Sequence, residues 1–142
     1  MLIRNAEARD LTDLMRLTGV LGYSPADAEE FSQRLERLLA KEGHILLVAE
    51  VDGSAHGFVE AEAYETLCVQ QAYGILGLVV DEEFQAQGIG GQLIEAIETE
   101  IRKRAVSQVF LHSGEQRRLA HEFYEKHGYA LDHMQKKFVK NF

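Results

Sequence analysis

The feature of this sequence that most constrains its fold is a glycine cluster between an apolar run and an amphipathic helix pattern. In the stretch VVDEEFQAQGIGGQLIEAIE, residues 79–98, the apolar run gives way to acidic and polar residues and then to Gly88, Gly90 and Gly91. The stretch therefore predicts a buried strand, a glycine-rich loop and a helix, in that order. The apolar residues that mark the helix recur at helical spacing: Ile89, Leu93, Ile94, Ile97 and Ile101.

A helix that starts directly after glycines is suited to binding an anion. The first turn of a helix has free N–H groups and about half a positive charge, so it attracts phosphate. For a pyrophosphate to lie against those amides, the preceding turn must lack Cβ atoms and tolerate positive φ angles. Gly88, Gly90 and Gly91 supply both properties. A tight turn that binds nothing explains the same spacing equally well, so the spacing alone leaves both interpretations open.

Two familiar phosphate-binding motifs do not fit this loop. A P-loop needs Gly-Lys-Ser or Gly-Lys-Thr, and no lysine lies between Lys41 and Lys103. A dinucleotide-binding fingerprint needs a third glycine or an alanine at the position of Leu93. What is left is the pattern Gln-x-x-Gly-x-Gly, which begins at Gln85.

The chain as a whole predicts a mixed α/β domain in the order β-α-α-β-β-β-α-β-α-β. Leu2–Arg4 is a short strand, and the helix after it ends at Gly19. Ser24 is expected to cap a second helix, with Pro25 in its first turn and Gly43 as its stop. The apolar face of the first helix is formed by Leu11, Leu14, Met15 and Thr18.

The second half of the chain predicts strands that alternate with helices. Asp52-Gly53 is a strong signal for a hairpin between two strands. The next strand, Tyr73–Val80, is apolar at nearly every position, which predicts burial on both faces. After the helix that follows the glycines, we expect a strand at SQVFLHS, a helix at GEQRRLAHEFYEKHG that ends at Gly128, and a closing strand at YALDHMQKKFVK. The inward face expected for that last helix comprises Leu119, Ala120, Phe123 and Tyr124.

Composition predicts one domain that spans residues 1–142. The chain is 46% hydrophobic, which is enough for a single core, and no apolar run approaches the length of a membrane span. Cys68 is the only cysteine, so no internal disulfide can form and we expect a reducing cytoplasm. A net charge of −8 argues against a nucleic-acid-binding surface, which is usually basic.

Two stretches of the chain together resemble one known family. The first, LVVDEEFQAQGIGGQLIEAIE, resembles motif A of the GNAT superfamily of N-acetyltransferases, with its signature Gln/Arg-x-x-Gly-x-Gly/Ala. The second, LHSGEQRRLAHEFYEKHGY, is similar to motif B of that superfamily, with its Ala-x-x-Phe-Tyr and closing Gly-Tyr. IRNAEARDL also resembles the usual first strand and entry to the first helix. The resemblance implies the GNAT-type fold, a twisted mixed β-sheet of about six to seven strands flanked by about four helices.

The resemblance also implies acetyl-CoA as the cosubstrate, without a metal. The pyrophosphate is expected on the backbone amides from Gln85 to Gly91. The pantetheine arm is expected along Val79 and Val80, where this strand and the next one part and leave backbone groups free to pair with it. The cofactor-binding residues so implied are Leu78, Val79, Val80, Gln85, Ala86, Gln87, Gly88, Ile89, Gly90, Gly91, Arg117 and Tyr124.

The chain departs from the family pattern at several positions. The family often has arginine at the first motif position and a basic residue two positions later, where this chain has Gln85 and Gln87. Because Coulomb attraction to the phosphates is lost, we expect weaker or more salt-tolerant cofactor binding. Many relatives have a glutamate near position 74, which is Gly74 here. Arg117 replaces a frequent asparagine beside the pantetheine, and either contacts a CoA phosphate or forms a solvated helix start.

Acetyl transfer to an amine needs a neutral amine, a polarised thioester carbonyl and a proton for the leaving thiolate. Tyr124 occupies the family's Phe-Tyr position, so the resemblance implies that it is the general acid; alternatively it is a surface aromatic residue. Three residues are candidate general bases: Glu60 and Glu62, which alternate onto one face of a strand, and His112 at the end of a later strand. Each of these is alternatively a solvated or structural side chain.

The predicted function is transfer of an acetyl group from acetyl-CoA to a primary amine by direct attack in a ternary complex. An alternative is a non-catalytic acyl-CoA sensor or interaction module on the same fold, indicated by Gly74, Gln85 and Gln87. A third option is an enzyme that uses a different acyl donor. The acidic chain favours a cationic acceptor such as a polyamine, an aminoglycoside or a protein N-terminus. The expected partner is thus a small-molecule or peptide amine, without nucleic acid or membrane, and a homodimer is compatible with this superfamily.

Overall fold

A five-stranded β-sheet is the frame of the protein in the computed structural model, which describes residues 1–24 and 27–142. The strands follow one another in chain order across the sheet; the first four are antiparallel, and the last pair is parallel. They are β1 (Leu2–Asn5), β2 (His44–Val51), β3 (Ser54–Tyr64), β4 (Ala72–Val80) and β5 (Val109–Leu111).

The described residues form four α-helices, and the chain divides into two compact units. Residues 1–112 contain the sheet and the first three helices, and residues 113–142 contain the fourth. Within the described ranges, no helix combines the length and the apolar character needed to cross a membrane. The helices are α1 (Leu11–Val20), α2 (Ala28–Ala40), α3 (Ile89–Arg102) and α4 (Arg118–Lys126).

In the first unit, α1 and α2 cover one face of the sheet and α3 covers the other. Leu17 of α1 and Leu35 of α2 belong to one buried cluster with Phe58 of β3. The neighbouring Gly57 faces the opposite side, where a Cβ would lie 3.2 Å from Leu93 of α3. Helix α3 is also the crossover that a parallel pair requires between β4 and β5. Its predicted apolar residues are all buried: Ile89, Leu93, Ile94, Ile97 and Ile101.

The predicted hairpin is confirmed between β2 and β3. Asp52 and Gly53 have φ angles of 50° and 84°, and a two-residue turn of type I′ requires positive φ at both positions. The ladder shifts by one residue between Ala49 and Glu50, so the turn and this irregularity together place Leu46 opposite Glu60.

Burial of β4 on both faces is confirmed only for its first half. Ala72–Ile75 are buried, whereas Leu76 is 55% exposed and, of the residues after it, only Val79 is buried. The reason is that β5 is short and pairs only with Tyr73–Ile75.

The predicted start of α2 is wrong. The helix begins at Ala28 and its cap is Asp27 rather than Ser24, since the Asp27 carboxylate accepts the amide of Glu29 at 3.2 Å. Pro25, which we expected in the first turn, lies outside the described residues.

The predicted end of α1 at Gly19 is also displaced. The helix continues to Val20, and the chain turns away at Gly22, whose φ is 97°. Glycine lowers helix propensity without forbidding a helix, so a residue in the left-handed region ends the helix instead. Leu17, absent from the predicted apolar face, is fully buried.

The closing strand predicted for YALDHMQKKFVK is wrong, and the sheet accordingly has five strands instead of about six to seven. Residues 129–142 contain no strand, and apolar side chains such as Leu131 and Phe138 are exposed there. A strand needs a neighbouring row of backbone donors and acceptors, and the unit formed by residues 113–142 offers only a helix. The mixed α/β class and the element order through α4 are confirmed.

In the second unit, α4 ends as predicted at Gly128. That residue has a φ of 91°, and the N–H of Tyr129 donates to the carbonyl of Tyr124 at 3.0 Å, the pattern of a glycine-terminated helix. The expected inward face is wrong at Leu119, which is 81% exposed, while Phe123 and Tyr124 are partly buried.

Candidate functional site

Strand β4 has a free edge beyond the point where β5 stops. The parallel pairing covers only Tyr73–Ile75 of β4, opposite Val109–Leu111. From residue 76 to residue 80, β4 pairs with β3 on one side and has no strand partner on the other among the described residues. Backbone N–H and C=O groups on such an edge can pair with an extended ligand, as an added strand would.

An irregularity in β4 marks the start of that free edge. Glu60 of β3 is opposite Gly77, and Ala61 is opposite Ile75, so Leu76 has no partner in β3 and bulges out of the ladder. A bulge bends its strand and redirects the neighbouring side chains. The bulge therefore lies directly after Ile75, the last residue of β4 that pairs with β5.

The loop between β4 and α3 is braced by its two glutamines. The Nε2 of Gln85 donates to the carbonyl of Val80 at 3.0 Å, and the Nε2 of Gln87 donates to the carbonyl of Glu83 at 3.2 Å. These are the positions where the resembling family often has basic residues. Here the side chains bond the loop's own backbone and brace its shape.

The loop reaches α3 through a left-handed residue at Gly88. Its φ is 83°, and a Cβ there would contact nothing within 4 Å, so backbone conformation rather than crowding requires glycine. Gly90 and Gly91 lie inside the first turn of α3, and the second positive φ of this loop belongs to Ala86, at 62°. The expectation that all three glycines supply positive φ thus holds for Gly88 alone.

The N-terminus of α3 presents free donors to solvent. No side chain caps this helix, and the first amides of any helix have no partner inside it. Residues 85–88 are exposed. The arrangement is therefore an uncapped helix N-terminus, a feature of the kind that attracts anions, next to an open strand edge.

A buried carboxylate anchors the start of this loop. Asp81, the residue after β4, forms an ion pair with Arg16 of α1, and its Oδ2 lies 2.9 Å from Nδ1 of His56. The His56 ring stacks on Phe84 within the loop, with centroids 4.2 Å apart. Partial burial lowers the pKa of Arg16. The hydrogen bond to Asp81 and the charge of that carboxylate raise it, and the pKa of Arg16 ends above its ordinary value. These residues were not among the sequence candidates, because their positions meet only in the folded sheet.

Two of the candidate bases lie together on the face that α1 and α2 cover. Glu60 and Glu62 share this face of β3 with Phe58 of the buried cluster. Lys41 forms an ion pair with Glu62 and lowers the pKa of its carboxyl. His44, which sequence reasoning missed, lies between them: its Nε2 is 2.9 Å from Oε2 of Glu60, and its Nδ1 is 3.8 Å from Oε1 of Glu62.

The third candidate base lies apart from this pair. His112 follows β5 and is exposed, and its ring centroid is 5.8 Å from that of Phe110. Phe110 in turn lies over Gly74, the position where many relatives have a glutamate.

Two cavities open beside His44 and Glu60. One has a volume of about 160 Å³ and is lined in part by His44, and the other has about 130 Å³ and is lined in part by Glu60. Leu38 and Leu46 contribute to both. The two side chains thus stand at the walls of adjacent spaces, of which the one beside Glu60 is mainly apolar.

The second unit contains the other two candidates, Arg117 and Tyr124. Arg117 is the residue before the first turn of α4, and Tyr124 lies near the end of that helix, with ring centroids 5.3 Å from Phe123 and 5.9 Å from Tyr129. Burial raises the pKa of the Tyr124 hydroxyl, and the positive charge of Arg117 partly opposes that rise. The hydroxyl is therefore protonated over the physiological range, as a proton donor must be.

Comparison with known proteins gives a consistent result. Residues 8–129 match the sequence model of the Acetyltransferase (GNAT) family. A curated protein of Archaeoglobus fulgidus, named an uncharacterized N-acetyltransferase, is 31% identical over 120 residues, which cover 78% of this chain and 82% of that protein.

Solved structures resemble the whole chain. The aminoglycoside 6′-N-acetyltransferase of Acinetobacter haemolyticus, without ligand, has a TM-score of 0.85 at 18% identity, with 100% of this chain and 99% of that chain covered. The glucosamine-6-phosphate N-acetyltransferase of Arabidopsis thaliana has a TM-score of 0.85 at 22% identity, with 99% and 98% covered. At these identities the two structures establish the fold alone.

Proposed function

The chain belongs to the acetyltransferase (GNAT) family, and we propose that it transfers the acetyl group of acetyl-CoA to a primary amine by direct attack in a ternary complex. Membership of the family makes it an N-acetyltransferase. The direct mechanism, the residue roles and the kind of acceptor are the proposal.

One continuous segment carries the proposal for the cosubstrate. Residues 76–91 join a free strand edge to the open N-terminus of α3. The free edge can form backbone hydrogen bonds with the amide groups of pantetheine. The main-chain amides in the first turn of α3 can bind the negatively charged pyrophosphate. The residues that would hold acetyl-CoA are Leu78, Val79, Val80, Gln85, Ala86, Gln87, Gly88, Ile89, Gly90 and Gly91, with Arg117 and Tyr124 from the second unit.

The backbone conformation of the loop supports this assignment. Gly88 has open space where a side chain would stand, and Gln85 and Gln87 are turned to the loop's own carbonyls. A ligand phosphate can therefore approach the amides without meeting a side chain in the way. Because no lysine or arginine belongs to this loop, we expect binding that depends weakly on salt.

Three proton transfers accompany the reaction. The acceptor arrives as an ammonium and must lose a proton before its nitrogen attacks the thioester carbon. The C–N bond forms, the C–S bond breaks, and the thiolate of CoA takes a proton from the general acid, for which Tyr124 is the candidate. The nitrogen then releases its second proton, which restores the acid. The candidates for the first step are Glu60, Glu62 and His112.

The acceptor is a primary amine that the acidic chain attracts. The two similar proteins are named for acetylation of an aminoglycoside and of glucosamine-6-phosphate. These are two classes of amine to be tested with this chain. A peptide N-terminus and a polyamine complete the set, because each presents the same ammonium group.

The test is a thiol-release assay with acetyl-CoA and a panel of amines, combined with calorimetric titration of CoA. Amine-dependent release of CoA thiol supports the proposed function. Binding of CoA without any amine-dependent release favours the non-catalytic acyl-CoA sensor, and no CoA binding at millimolar concentration overturns the cosubstrate assignment.

A further inference from the structure

His44 is a buried side chain that has no role in the acetyl transfer proposed so far. Its imidazole is 2% exposed, and its Nε2 lies 2.9 Å from the Glu60 carboxylate. Among the described residues, however, neither ring nitrogen has a hydrogen-bond partner in ordinary alignment. A buried polar group without a hydrogen bond lowers the free energy of unfolding by about 1–3 kcal/mol. A histidine that only filled space in the core would therefore be less stable here than an apolar side chain.

The partner of His44 stands next to the free edge of β4. Glu60 is opposite Gly77, the residue after the bulged Leu76. Its side chain is on the face that α1 and α2 cover. A carboxylate there lies one strand away from the point where β4 departs from β5, which is where the thioester is expected under the proposed function.

The cavity of about 130 Å³ beside Glu60 is suited to a particular kind of molecule. Its lining includes one carboxylate, Glu60, and one guanidinium, Arg34, which Glu30 already binds at 2.6 Å. The charge left for a ligand is thus the negative charge of Glu60. Most of the remaining wall is apolar and comprises Leu14, Phe31, Leu35, Leu38, Leu46 and Phe58.

We propose that this cavity is the acceptor site and that it takes a primary ammonium attached to a short apolar chain. Glu60 binds the ammonium and removes its proton, and His44 is a positioning residue whose buried ring packs beside the Glu60 carboxylate, with Nε2 at 2.9 Å. The inference rests on the proposed acetyl transfer and adds the acceptor class and the base.

The proton balance assigns one transfer to Glu60. An N–H bond of the ammonium breaks, its proton moves to a carboxylate oxygen of Glu60, and the electron pair left on nitrogen forms the C–N bond. Glu60 returns the proton to solvent after the product leaves. The net change is one amide, one CoA thiol and one released proton.

Other charged groups near the pair favour Glu60 over its neighbour. Glu62 faces the same side, but the Lys41 ion pair lowers the pKa of its carboxyl, which makes it a weaker base. The remaining charged side chain on this side of the cavity is Arg34 of α2, paired with Glu30. Glu60 is therefore the carboxylate that faces the cavity without a lysine or arginine partner in the contacts described.

The experiment measures amine binding and turnover separately. Calorimetry in the presence of CoA compares butylamine with spermidine and kanamycin on the wild type, Glu60→Gln, His44→Gln and the exposed control Glu36→Gln. We expect butylamine to bind at least about tenfold tighter than the two polycations. We expect Glu60→Gln to weaken its binding by about tenfold or more, and Glu36→Gln to leave it unchanged. Equal binding by wild type and Glu60→Gln overturns the site, whether or not turnover is seen.

The turnover measurement distinguishes a base from a structural residue. With butylamine at pH 7.5, Glu60→Gln should lose about 10²–10⁴-fold in kcat/KM, the usual contribution of a general base. With 2,2-difluoroethylamine, a weakly basic amine that is largely neutral at that pH, most of the loss should disappear. His44→Gln should lose less activity, with the loss in kcat rather than in KM, while it binds CoA normally.

The two proposals fail in different ways. An equal loss by Glu60→Gln on both amines, with CoA bound normally, overturns the base assignment and leaves acetyl transfer standing. Absence of thiol release with every amine overturns the proposed function, while the calorimetric comparison still decides the acceptor site.

Discussion

The ring of Phe110 lies so close to Gly74 that a Cβ at position 74 would be 2.9 Å from the Cζ atom of Phe110. The two residues are opposite each other in the parallel pair of β4 and β5. A glutamate at position 74 has no room beneath this ring. The carboxylates of this face stand one strand away, at Glu62, which is opposite Gly74, and at Glu60.

We expect Gly74→Ala to destabilise the protein by about 1–3 kcal/mol, because the new methyl group must displace a half-buried ring. Phe110→Leu should recover part of that loss in the double variant. Gly19→Ala is the matched control, since nothing lies within 4 Å of its Cβ position and its helical backbone favours alanine. Urea unfolding measures all four proteins, and a Gly74→Ala variant as stable as the wild type would contradict the packing described here.

Gly88→Ala should weaken acetyl-CoA binding. Alanine in the left-handed region costs about 1–2 kcal/mol, and relief of that strain would move the amides that we propose for the pyrophosphate. Gly53→Ala is a matched control, because Gly53 has a φ of 84° and nothing within 4 Å of its Cβ position, but lies in the β2–β3 hairpin. Calorimetry should show a loss of about tenfold in affinity for Gly88→Ala alone. A similar loss in both variants would indicate a general effect of reduced stability.

Gln87→Arg should tighten acetyl-CoA binding at low salt and make it salt-dependent. The glutamine bonds the carbonyl of Glu83, and a guanidinium at that position adds a charge-assisted contact to phosphate. Gln33→Arg adds the same charge on the exposed side of α2 and should change neither property. The measurement is the CoA dissociation constant between 50 and about 500 mM salt, over which exposed charges become screened. A salt-independent affinity for Gln87→Arg would place the phosphates elsewhere.

Tyr124→Phe should lower kcat by about 10²–10⁴-fold without changing the affinity for acetyl-CoA. Tyr129→Phe, one turn away in the same unit, is the control and should keep its activity. Burial raises the pKa of Tyr124, so its protonated form persists to higher pH than that of free tyrosine. The alkaline loss of wild-type kcat should therefore lie above about pH 10. A fully active Tyr124→Phe variant would remove the tyrosine from the mechanism.

The sequence predicted local features well where local physics decides them. The Asp52-Gly53 turn, the glycine-preceded helix α3 and the stop at Gly128 all formed as expected, because each depends on backbone freedom or side-chain period within a few residues. The same local reasoning failed for the closing strand, since alternation of side chains does not supply the partner strand that a ladder requires.

The candidate site was predicted in part. Motif A located the loop from Gln85 to Gly91, but its conformation differs in detail, because the glutamines bond the loop's own backbone and only Gly88 is left-handed among the three glycines. His44 was missed entirely. It follows a helix stop in the sequence, and nothing near it in the chain indicates a carboxylate partner sixteen residues away.

The sequence by itself determined the class of fold and the loop that precedes α3, since side-chain period and glycine content act over short stretches of chain. Only the tertiary structure decided which side chains meet. The hairpin register brings His44 beside Glu60 and Glu62, and the bulge at Leu76 sets where β4 loses its partner. Strand register depends on contacts between distant residues, and a shift of one residue would turn every one of these side chains to the opposite face.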